Sequence, residues 1–547
     1  MEAESSGQTP QAIIFTAPAG LRAVQCLQKL VAYCARHQVN VKLLEIDDSL
    51  VTEYLSAYPE AAAGDQELLT SAGGLSFLLT RPKEILRRLW RDVVTARLQA
   101  ATDTCDYLFL SLHASFFNNQ SREFFSPIQA EHLREQLSAQ GFSVKCVVTL
   151  IDDIDDIYRH LSRENQLFQL TSSGDSHQRA VEAMLNFRLA LDWRSLEIVQ
   201  ADMLARSLAC RHVILAVKHD LTVAYQALLL DRPMAYVSHP ISDVRQDQRF
   251  VSEVQDLTGH LTTSDVVVPI SPTAIDELRV ERSTENNRVF RPSLFDRWPF
   301  GRPNEVLFIP PQEESMNPLD PDASFGDSDD AFLGGMLHNL VEAIRSQINA
   351  RDRALVEQST MIVVWRPCYT GEMSSGVFEE ITHRNSLIDH RLIAEGEKPC
   401  FVYTPLEDLG KWRIVQLLHR LRREAQTSSG VGLDESLIMR LRSALAGDSH
   451  LVRDIAEGKA THQTVQQRVN SIAPGIQVGT VRLGALSGTP MVMAATAANE
   501  WWRQTMGSVF ASAPLEGLLR GHDVLISQEM TVEEFVSVIS NQRRGQS

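Results

Sequence analysis

Two carboxylates, Asp152 and Asp153, directly follow the apolar run 144–151. Acidic side chains at the end of a strand suit magnesium or a nucleotide-bound water. Alternatively, these residues begin the next helix, because negative charge is favourable at the positive end of a helix. The position therefore predicts either part of a nucleotide site or a structural helix start, and no metal site is assigned to it.

A predicted strand, a turn of small residues and a predicted helix lie near the N-terminus, which is the setting of a phosphate-binding loop. In the spacing GxxxxGK[ST], Gly20 matches the second glycine, whereas Phe15 stands at the position of the first glycine. Leu21 stands at the lysine position, and Arg22 stands at the Ser/Thr position. The lysine of such a loop reaches the terminal phosphates, and the hydroxyl holds magnesium. Leu21 can do neither, and Arg22 offers charge without a magnesium ligand.

With these features, the region from about residue 11 to residue 230 resembles a P-loop nucleoside- or nucleotide-kinase domain whose motif is broken. The resemblance implies a nucleotide beside Gly20, Arg22, Asp152 and Asp153. Because the lysine is replaced, phosphoryl transfer is disfavoured, and a nucleotide sensor or a structural platform is the stronger expectation. A bound nucleotide is the only cofactor that this reasoning suggests.

Polar and acidic residues also follow the predicted strands of the region 231–408, where ligands bind in open α/β sheets. Asp352 stands on the long predicted helix between two of these strands. The candidate site residues of this region are Ser238, His239, Pro240, Asp276, Asp352, Arg366, Ser374, Gly376 and Glu380.

The order of these residues resembles the nucleoside 2-deoxyribosyltransferase family and its N-glycosidase relatives over about Arg232–Asp408. By position, Glu380 matches the family's nucleophile, four residues after Gly376, and Asp352 matches a helix Asp that binds or protonates. The family often has Asp where this chain has Ser374 and Thr360. Loss of these two acidic positions is expected to alter the sugar preference or to abolish turnover.

The chemistry of such a site explains why it needs carboxyl groups. A carboxylate can attack the anomeric carbon and hold a covalent glycosyl intermediate. A second carboxyl group can donate a proton to the leaving base, which requires a raised pKa. An acceptor nucleoside then gives transfer, and water gives hydrolysis.

Structural roles compete with these assignments. Glu379 and Glu380 together can stabilise a helix start, and only one of them can face inward. Asp352 can pair with Arg351 or Arg353 on a helix face, and Asp276 can cap a helix. His239 can be a hydrogen-bonded loop residue instead of a catalytic base.

The alternation of short apolar runs with helical stretches predicts the elements that position these residues. We expect two Rossmann-like, three-layer α/β domains with parallel sheets, followed by a mostly helical C-terminal region. The expected domains are 1–230 and 231–408, the latter interrupted by an exposed loop at 301–330. The helical region then covers 409–547.

Composition restricts the partners. The chain has 547 residues and a net charge of 52 − 69 = −17, which argues against nucleic acid and against an anionic membrane. No apolar run approaches the ~18 residues that cross a bilayer. The seven cysteines are dispersed without a CxxC motif, which is typical of reduced thiols in a cytoplasmic protein.

The leading functional hypothesis is cleavage or transfer at the N-glycosidic bond of a nucleoside, nucleotide or NAD-like molecule, with Glu380 as the nucleophile. The first alternative is a non-catalytic nucleotide-sensing or scaffold protein. The second alternative is a residual nucleotide kinase that uses Asp152 or Asp153. The expected partner is a small nucleoside or nucleotide, and assembly into a homo-oligomer is left open.

Overall fold

The structure is a computed structural model that describes residues 9–544 with internal gaps. The gaps are residues 22, 63–64, 71–73, 102–104, 164–165, 167, 169–175, 242–243, 245–246, 276–278, 282–290, 294–326, 430–433, 458, 473–517 and 527–528. Most of the predicted loop 301–330 therefore lies outside the described residues, and residues 327–330 begin a helix.

The described residues form fourteen strands and eighteen α-helices. The strands are β1 (Gln11–Thr16), β2 (Val41–Glu45), β3 (Tyr107–Leu112), β4 (Phe116–Asn118), β5 (Glu123–Phe125), β6 (Ser143–Ile151), β7 (Arg211–Ala216), β8 (Met234–Ser238), β9 (Val268–Ile270), β10 (Arg279–Glu281), β11 (Arg291–Ser293), β12 (Met361–Trp365), β13 (Cys400–Tyr403) and β14 (Val524–Ile526). The helices are α1 (Ala23–Arg36), α2 (Asp48–Ala57), α3 (Pro59–Ala62), α4 (Gln66–Thr70), α5 (Gly74–Leu78), α6 (Lys83–Gln99), α7 (Ala130–Ala139), α8 (Ile154–Arg163), α9 (Ser176–Ser207), α10 (Leu221–Leu228), α11 (Gln248–Thr263), α12 (Asp327–Gln358), α13 (Ser375–Asp389), α14 (Leu406–Ser429), α15 (Glu435–Ala446), α16 (Ser449–Ala456), α17 (His462–Ile472) and α18 (Val532–Arg544).

The chain divides into two compact units. Unit 1 comprises Met1–Arg232 and Pro272–Gln358, and unit 2 comprises Pro233–Ser271 and Ser359–Ser547. The domain boundaries expected from the sequence place helix α12 with the second domain, whereas this division places it in unit 1. The reason is packing, because apolar residues of α12 share a buried cluster with residues of α8 and α9.

Unit 1 is built on a five-stranded sheet in the order β2-β3-β1-β6-β7, in which all strands are parallel. Residues Ala12–Phe15 of the central strand are almost completely buried, so both faces of the sheet are covered. After β1 the chain continues to β2 at one edge of the sheet. After β6 it continues to β7 at the other edge. The carboxyl ends of β1 and β6 therefore form a topological switch point, where α/β sheets bind ligands.

Unit 2 repeats this architecture with the order β14-β13-β12-β8-β9, and its strands are also parallel. Strands β8 and β12 are buried throughout. After β8 the chain continues to β9 on one side of this strand pair. After β12 it continues to β13 on the other side. The switch point of this sheet therefore lies between the carboxyl ends of β8 and β12.

The C-terminal region is mostly helical and also completes the sheet of unit 2. Helices α14–α17 share an apolar cluster that includes Leu418, Leu441, Val452 and Val469. Strand β14 adds to β13, and Phe535 of α18 packs its ring against Trp365 and Tyr403. The expected fold class, two parallel α/β units with a helical C-terminal region, is confirmed. In the part of the chain that the structure describes, no helix is both long enough and apolar enough to cross a membrane.

Candidate functional site

Glu380 lies on α13 beside the last residues of β8. The phenol of Tyr236 donates a hydrogen bond to Glu380 Oε1 at 2.6 Å, and the hydroxyl of Ser238 donates to Oε2. Both donors are completely buried, whereas Glu380 itself is partly exposed. Two hydroxyl donors thus orient the carboxylate.

The local fold explains why Glu380, and not Glu379, takes this position. Helix α13 begins shortly after β12, and its buried side includes Val377 and Ile381. At 3.6 residues per turn, position 380 borders that side, while position 379 points away from it. Glu379 is accordingly exposed. The structure therefore brings Ser238 and Glu380 together at the switch point of unit 2.

Ser374 and Gly376 stand at the start of the same helix. Ser374 immediately precedes α13, and Gly376 is exposed in its first turn. A Cβ built on Gly376 would lie 4.0 Å from Ser374 Oγ, its nearest described contact outside the adjacent residues and the backbone of α13. Packing within the described chain therefore does not require glycine at this position.

His239 and Pro240 follow β8 as expected, but the imidazole is buried. His239 Nδ1 donates to the carbonyl of Pro240 at 2.9 Å. Burial lowers the pKa of His239 to about 4, so the ring is neutral at pH 7. These properties fit a hydrogen-bonded loop residue better than a base in contact with solvent.

Arg366 is held inside unit 2 by two carboxylates. Its guanidinium donates to Asp408 at 2.8 and 2.9 Å and to Glu253 at 2.7 Å, and it stacks on the ring of Tyr369. Burial alone would lower the pKa of Arg366, but the bonds to Asp408 outweigh it and raise the pKa above its usual range. The charge of Arg366 is therefore compensated within the protein.

Asp352 is part of unit 1, on α12. Its carboxylate accepts bonds from the guanidinium of Arg351 at 2.9 and 3.0 Å, and Arg351 is buried. Asp352 and Glu380 thus belong to different units, and the geometry of unit 2 does not include Asp352. Two further candidates, Asp276 and Arg22, lie outside the described residues.

In unit 1, Gly20 has a structural reason to be glycine. Its φ of +85° lies in the left-handed region, which side chains other than glycine rarely adopt. A Cβ there would lie 2.8 Å from the carbonyl oxygen of Ile157 and 2.8 Å from Leu161 Cγ. Helix α8 thus packs directly against the turn that resembles a phosphate loop.

Asp152 and Asp153 follow β6 and, with Asp156, surround the ammonium group of Lys218. We call these four residues the Lys218 cluster. The nitrogen lies 3.1 Å from Asp152, 2.7 Å from Asp156 and in close contact with Asp153. Sequence reasoning missed Lys218, although its place directly after the apolar run 213–217 is a signal of a strand end.

Burial and charge act in opposite directions within the Lys218 cluster. Burial raises the pKa of Asp152 to about 6, while the ammonium of Lys218 counteracts this effect. Burial would lower the pKa of Lys218, but the three carboxylates raise it well above its usual range. The carboxylate oxygens lie within 4.8 Å of one another, a spacing that would suit a metal ion. The lysine supplies the positive charge that a metal would otherwise bring.

A cleft of about 730 Å³ opens within unit 1 and is lined by residues that follow β1, β2 and β3. Asp47 and His113 form a pair on its wall. Asp47 Oδ2 accepts from the backbone N–H of His113 at 2.8 Å and from its Nδ1 at 2.6 Å. Sequence reasoning did not connect these residues, because they are 66 positions apart.

Glu197 of α9 supports the loop that carries His113. Its two carboxylate oxygens accept the backbone N–H groups of Ala114 and Ser115 at 2.7 and 2.8 Å. Burial raises the pKa of Glu197 to about 8, although these two hydrogen bonds act in the opposite direction. Glu197 is completely buried, so its role is to position the loop.

Similarity to known proteins does not identify either site. No protein-family model matches the chain, and no curated protein sequence matches it. Function must therefore be inferred from the geometry: a hydroxyl-bonded carboxylate in unit 2, and a cleft and a charge-compensated cluster in unit 1.

Proposed function

We propose that unit 2 cleaves or transfers at the N-glycosidic bond of a nucleoside, nucleotide or NAD-like molecule through Glu380. The observation that carries this proposal is the carboxylate of Glu380, which accepts hydrogen bonds from Tyr236 and Ser238 at the switch point between β8 and β12. Ligands bind at such switch points. A fixed, partly exposed carboxylate is the group that nucleophilic glycosyl chemistry requires.

The reaction would proceed in two steps. A carboxylate oxygen of Glu380 forms a bond to the anomeric carbon, and the carbon–nitrogen bond breaks with its electron pair moving to the base, which takes a proton from solvent water. Water or an acceptor base next takes the sugar from Glu380 and restores the carboxylate. Tyr236 and Ser238 would orient the nucleophile, which is a large part of the rate advantage of a bound reaction. The proposal assigns no step to Asp352, which is part of unit 1.

The kinase and nucleotide-sensor alternatives draw less support from unit 1. Asp152 and Asp153 are bonded to Lys218, and α8 packs against Gly20. Leu21, in place of the phosphate-binding lysine, lines the cleft. These contacts favour a structural role for Gly20, Asp152 and Asp153 over a role in phosphate binding.

The test is to incubate the full chain with nucleosides, nucleoside monophosphates and NAD and to follow base release by chromatography. We expect release from at least one substrate and a loss of about 10³-fold or more in Glu380→Gln, since a carboxamide is a poor nucleophile. The matched control is Glu379→Gln, which changes the exposed neighbour and should keep the wild-type rate. Mass spectrometry of a slow substrate should place a glycosyl adduct on Glu380.

Two outcomes would overturn the proposal. One is the absence of base release from every substrate by the wild-type protein. The other is equal release by the wild type and Glu380→Gln.

A further inference from the structure

The cleft of unit 1 holds a histidine that a carboxylate orients. Asp47 Oδ2 accepts a hydrogen bond from Nδ1 of His113 at 2.6 Å and another from the backbone N–H of the same residue at 2.8 Å. Because Nδ1 donates, the neutral ring has its lone pair on Nε2, the nitrogen that can take a proton. His113 lines the cleft, and 23% of its side chain is exposed. The pair therefore has the arrangement of a general base and the carboxylate that orients it.

The charge of Asp47 is not compensated by a permanent cation. Within the described chain, neither lysine nor arginine forms an ion pair with Asp47, and its Oδ1 is buried and accepts no hydrogen bond. A buried carboxylate whose ionic partner is one imidazole stabilises the imidazolium ion that forms when Nε2 takes a proton. The Lys218 cluster is different, because an ammonium group already pairs with its carboxylates.

The backbone on both sides of this pair is fixed. Asp47 immediately precedes α2, and His113 directly follows β3, which pairs with β2 in the sheet. Glu197 of α9 accepts the N–H groups of Ala114 and Ser115, the two residues after His113, at 2.7 and 2.8 Å. A base needs such support, because a displacement of about 1 Å can cost a factor of about 10² in rate.

The remaining walls of the cleft suit an aromatic ester. Four aromatic residues line it, namely Phe116, Phe117, Phe168 and Trp193. Such rings accept flat apolar groups. Ala23 and Val24 in the first turn of α1 also line the cleft. A helix start stabilises the negative charge that develops on a carbonyl oxygen under attack. A helix start also suits phosphate, so a phosphate ester is a necessary comparison.

We propose that the cleft of unit 1 hydrolyses a carboxylic ester of an aromatic alcohol, with His113 as the general base and Asp47 as a positioning residue. Nε2 of His113 takes a proton from water while the water oxygen bonds to the carbonyl carbon. The ester C–O bond then breaks, its electron pair moves to the alcohol oxygen, and this oxygen takes the proton from Nε2. A carboxylic acid and an alcohol are released, and the ring is neutral again. This site is separate from Glu380 and does not depend on the glycosidic-bond proposal.

Two esters of one fluorescent alcohol test the reaction. The probes are 4-methylumbelliferyl butyrate and 4-methylumbelliferyl phosphate, each incubated with the full wild-type chain while fluorescence follows the release of 4-methylumbelliferone. We expect saturable hydrolysis of the butyrate above the rate in buffer, and little or no hydrolysis of the phosphate. Because both probes carry the same flat ring, the difference between them reports the reacting group.

Variants test the roles of the two residues. His113→Ala should lower kcat/KM for the butyrate by about 10²- to 10⁴-fold, the usual contribution of a general base. Added imidazole should restore part of this rate, after subtraction of the rate with imidazole alone. Asp47→Asn should lower kcat with little change in KM, since a carboxamide does not stabilise the imidazolium ion. The matched control is His132→Ala, on a histidine of α7 that bonds to Thr95 and does not line the cleft. This variant should keep the wild-type rate with and without imidazole.

Circular dichroism and thermal unfolding must show that each variant is folded. If Asp47→Asn is not folded, the imidazole rescue of His113→Ala decides, and if His113→Ala is not folded, His113→Gln replaces it in the comparison of rates.

Any of three results contradicts the proposal. One is the absence of butyrate hydrolysis by the wild type above the rate in buffer. Another is an equal rate for the wild type and a folded His113 variant. The third is faster hydrolysis of the phosphate than of the butyrate, which would assign the cleft to phosphate esters. Base release by unit 2 is measured without these esters, so its failure leaves these results unaffected.

Discussion

In unit 1 the carboxylates of Asp152, Asp153 and Asp156 surround one ammonium group, whereas in unit 2 the carboxylate of Glu380 accepts from two hydroxyl groups. Both sets lie where parallel strands end. Three of the four residues of the Lys218 cluster are buried, Asp156 is partly exposed, and the lysine compensates negative charge. Glu380 is partly exposed, and Tyr236 and Ser238 donate hydrogen bonds to its two oxygens.

This difference separates structural from chemical carboxylates. A carboxylate paired with a buried ammonium group is stabilised as an ion pair and is a weak nucleophile or ligand for anything else. A partly exposed carboxylate that hydroxyl donors orient can react with a substrate. We therefore assign the Lys218 cluster to folding and Glu380 to chemistry, and three substitutions test this assignment.

The largest effect on stability is expected from Lys218→Met. The substitution removes the ammonium group that contacts three carboxylates, two of them buried, and breaking a buried ion pair in this way costs about 3–5 kcal/mol. The free energy of unfolding from denaturant titration measures the loss. Removing the negative charges as well, in Lys218→Met with Asp152→Asn, Asp153→Asn and Asp156→Asn, should restore part of it. A Lys218→Met variant as stable as the wild type would contradict the structural assignment.

A smaller effect, on rate alone, is expected from Tyr236→Phe. The change keeps the buried ring and removes only the hydroxyl that holds Glu380 Oε1. Poorer orientation of the nucleophile should lower kcat for base release by about 10- to 100-fold, with little change in KM. Ser238→Ala removes the other donor and should act in the same direction.

Steady-state kinetics on folded protein measure these two variants, and the double variant should lose less than the product of the single effects, since both donors serve one carboxylate. If Tyr236→Phe keeps the full rate while Glu380→Gln is inactive, Tyr236 does not position the nucleophile. A loss confined to KM would instead place Tyr236 in substrate binding.

The fold was largely predictable from the sequence, because buried parallel strands are continuous apolar runs. The apolar run 144–151 lies within one residue of β6, and the run 213–217 lies within two residues of β7. The assignment of α12 to unit 1 was not predictable. Its apolar residues pack with those of α9, about 150 positions earlier, and local patterns do not reveal such distant partners.

The sites were predictable only in part, for the same reason. Polar residues after a strand, such as Ser238 and Asp152, were visible as candidates. Tyr236 lies inside a buried apolar strand and resembles an ordinary core residue, so its bond to Glu380, 144 positions away, could not be expected. Lys218 directly follows a strand, and the sequence alone does not show that the fold brings its ammonium group to Asp152.

The smallest expected effects on stability come from substitutions of two glycines, one in each unit. Gly20→Ala should destabilise the protein by about 1–2 kcal/mol for its left-handed φ alone, and the contacts of its Cβ with Ile157 and Leu161 add to this cost. Gly376→Ala should change stability little or raise it by up to about 1 kcal/mol, since alanine favours helices. Denaturant titration compares both variants with the wild type.

The base-release activity of Gly376→Ala then tests where the substrate binds in unit 2. Because, apart from the adjacent residues and the backbone of α13 itself, no described atom lies closer than 4.0 Å to the new Cβ, a loss of base release in a fully stable Gly376→Ala variant would mean that substrate approaches the start of α13. Full activity would indicate that the sugar binds away from Gly376 and closer to Ser238. Equal destabilisation by both substitutions would contradict the contrast, because it would give Gly376 a packing role that its surroundings do not show.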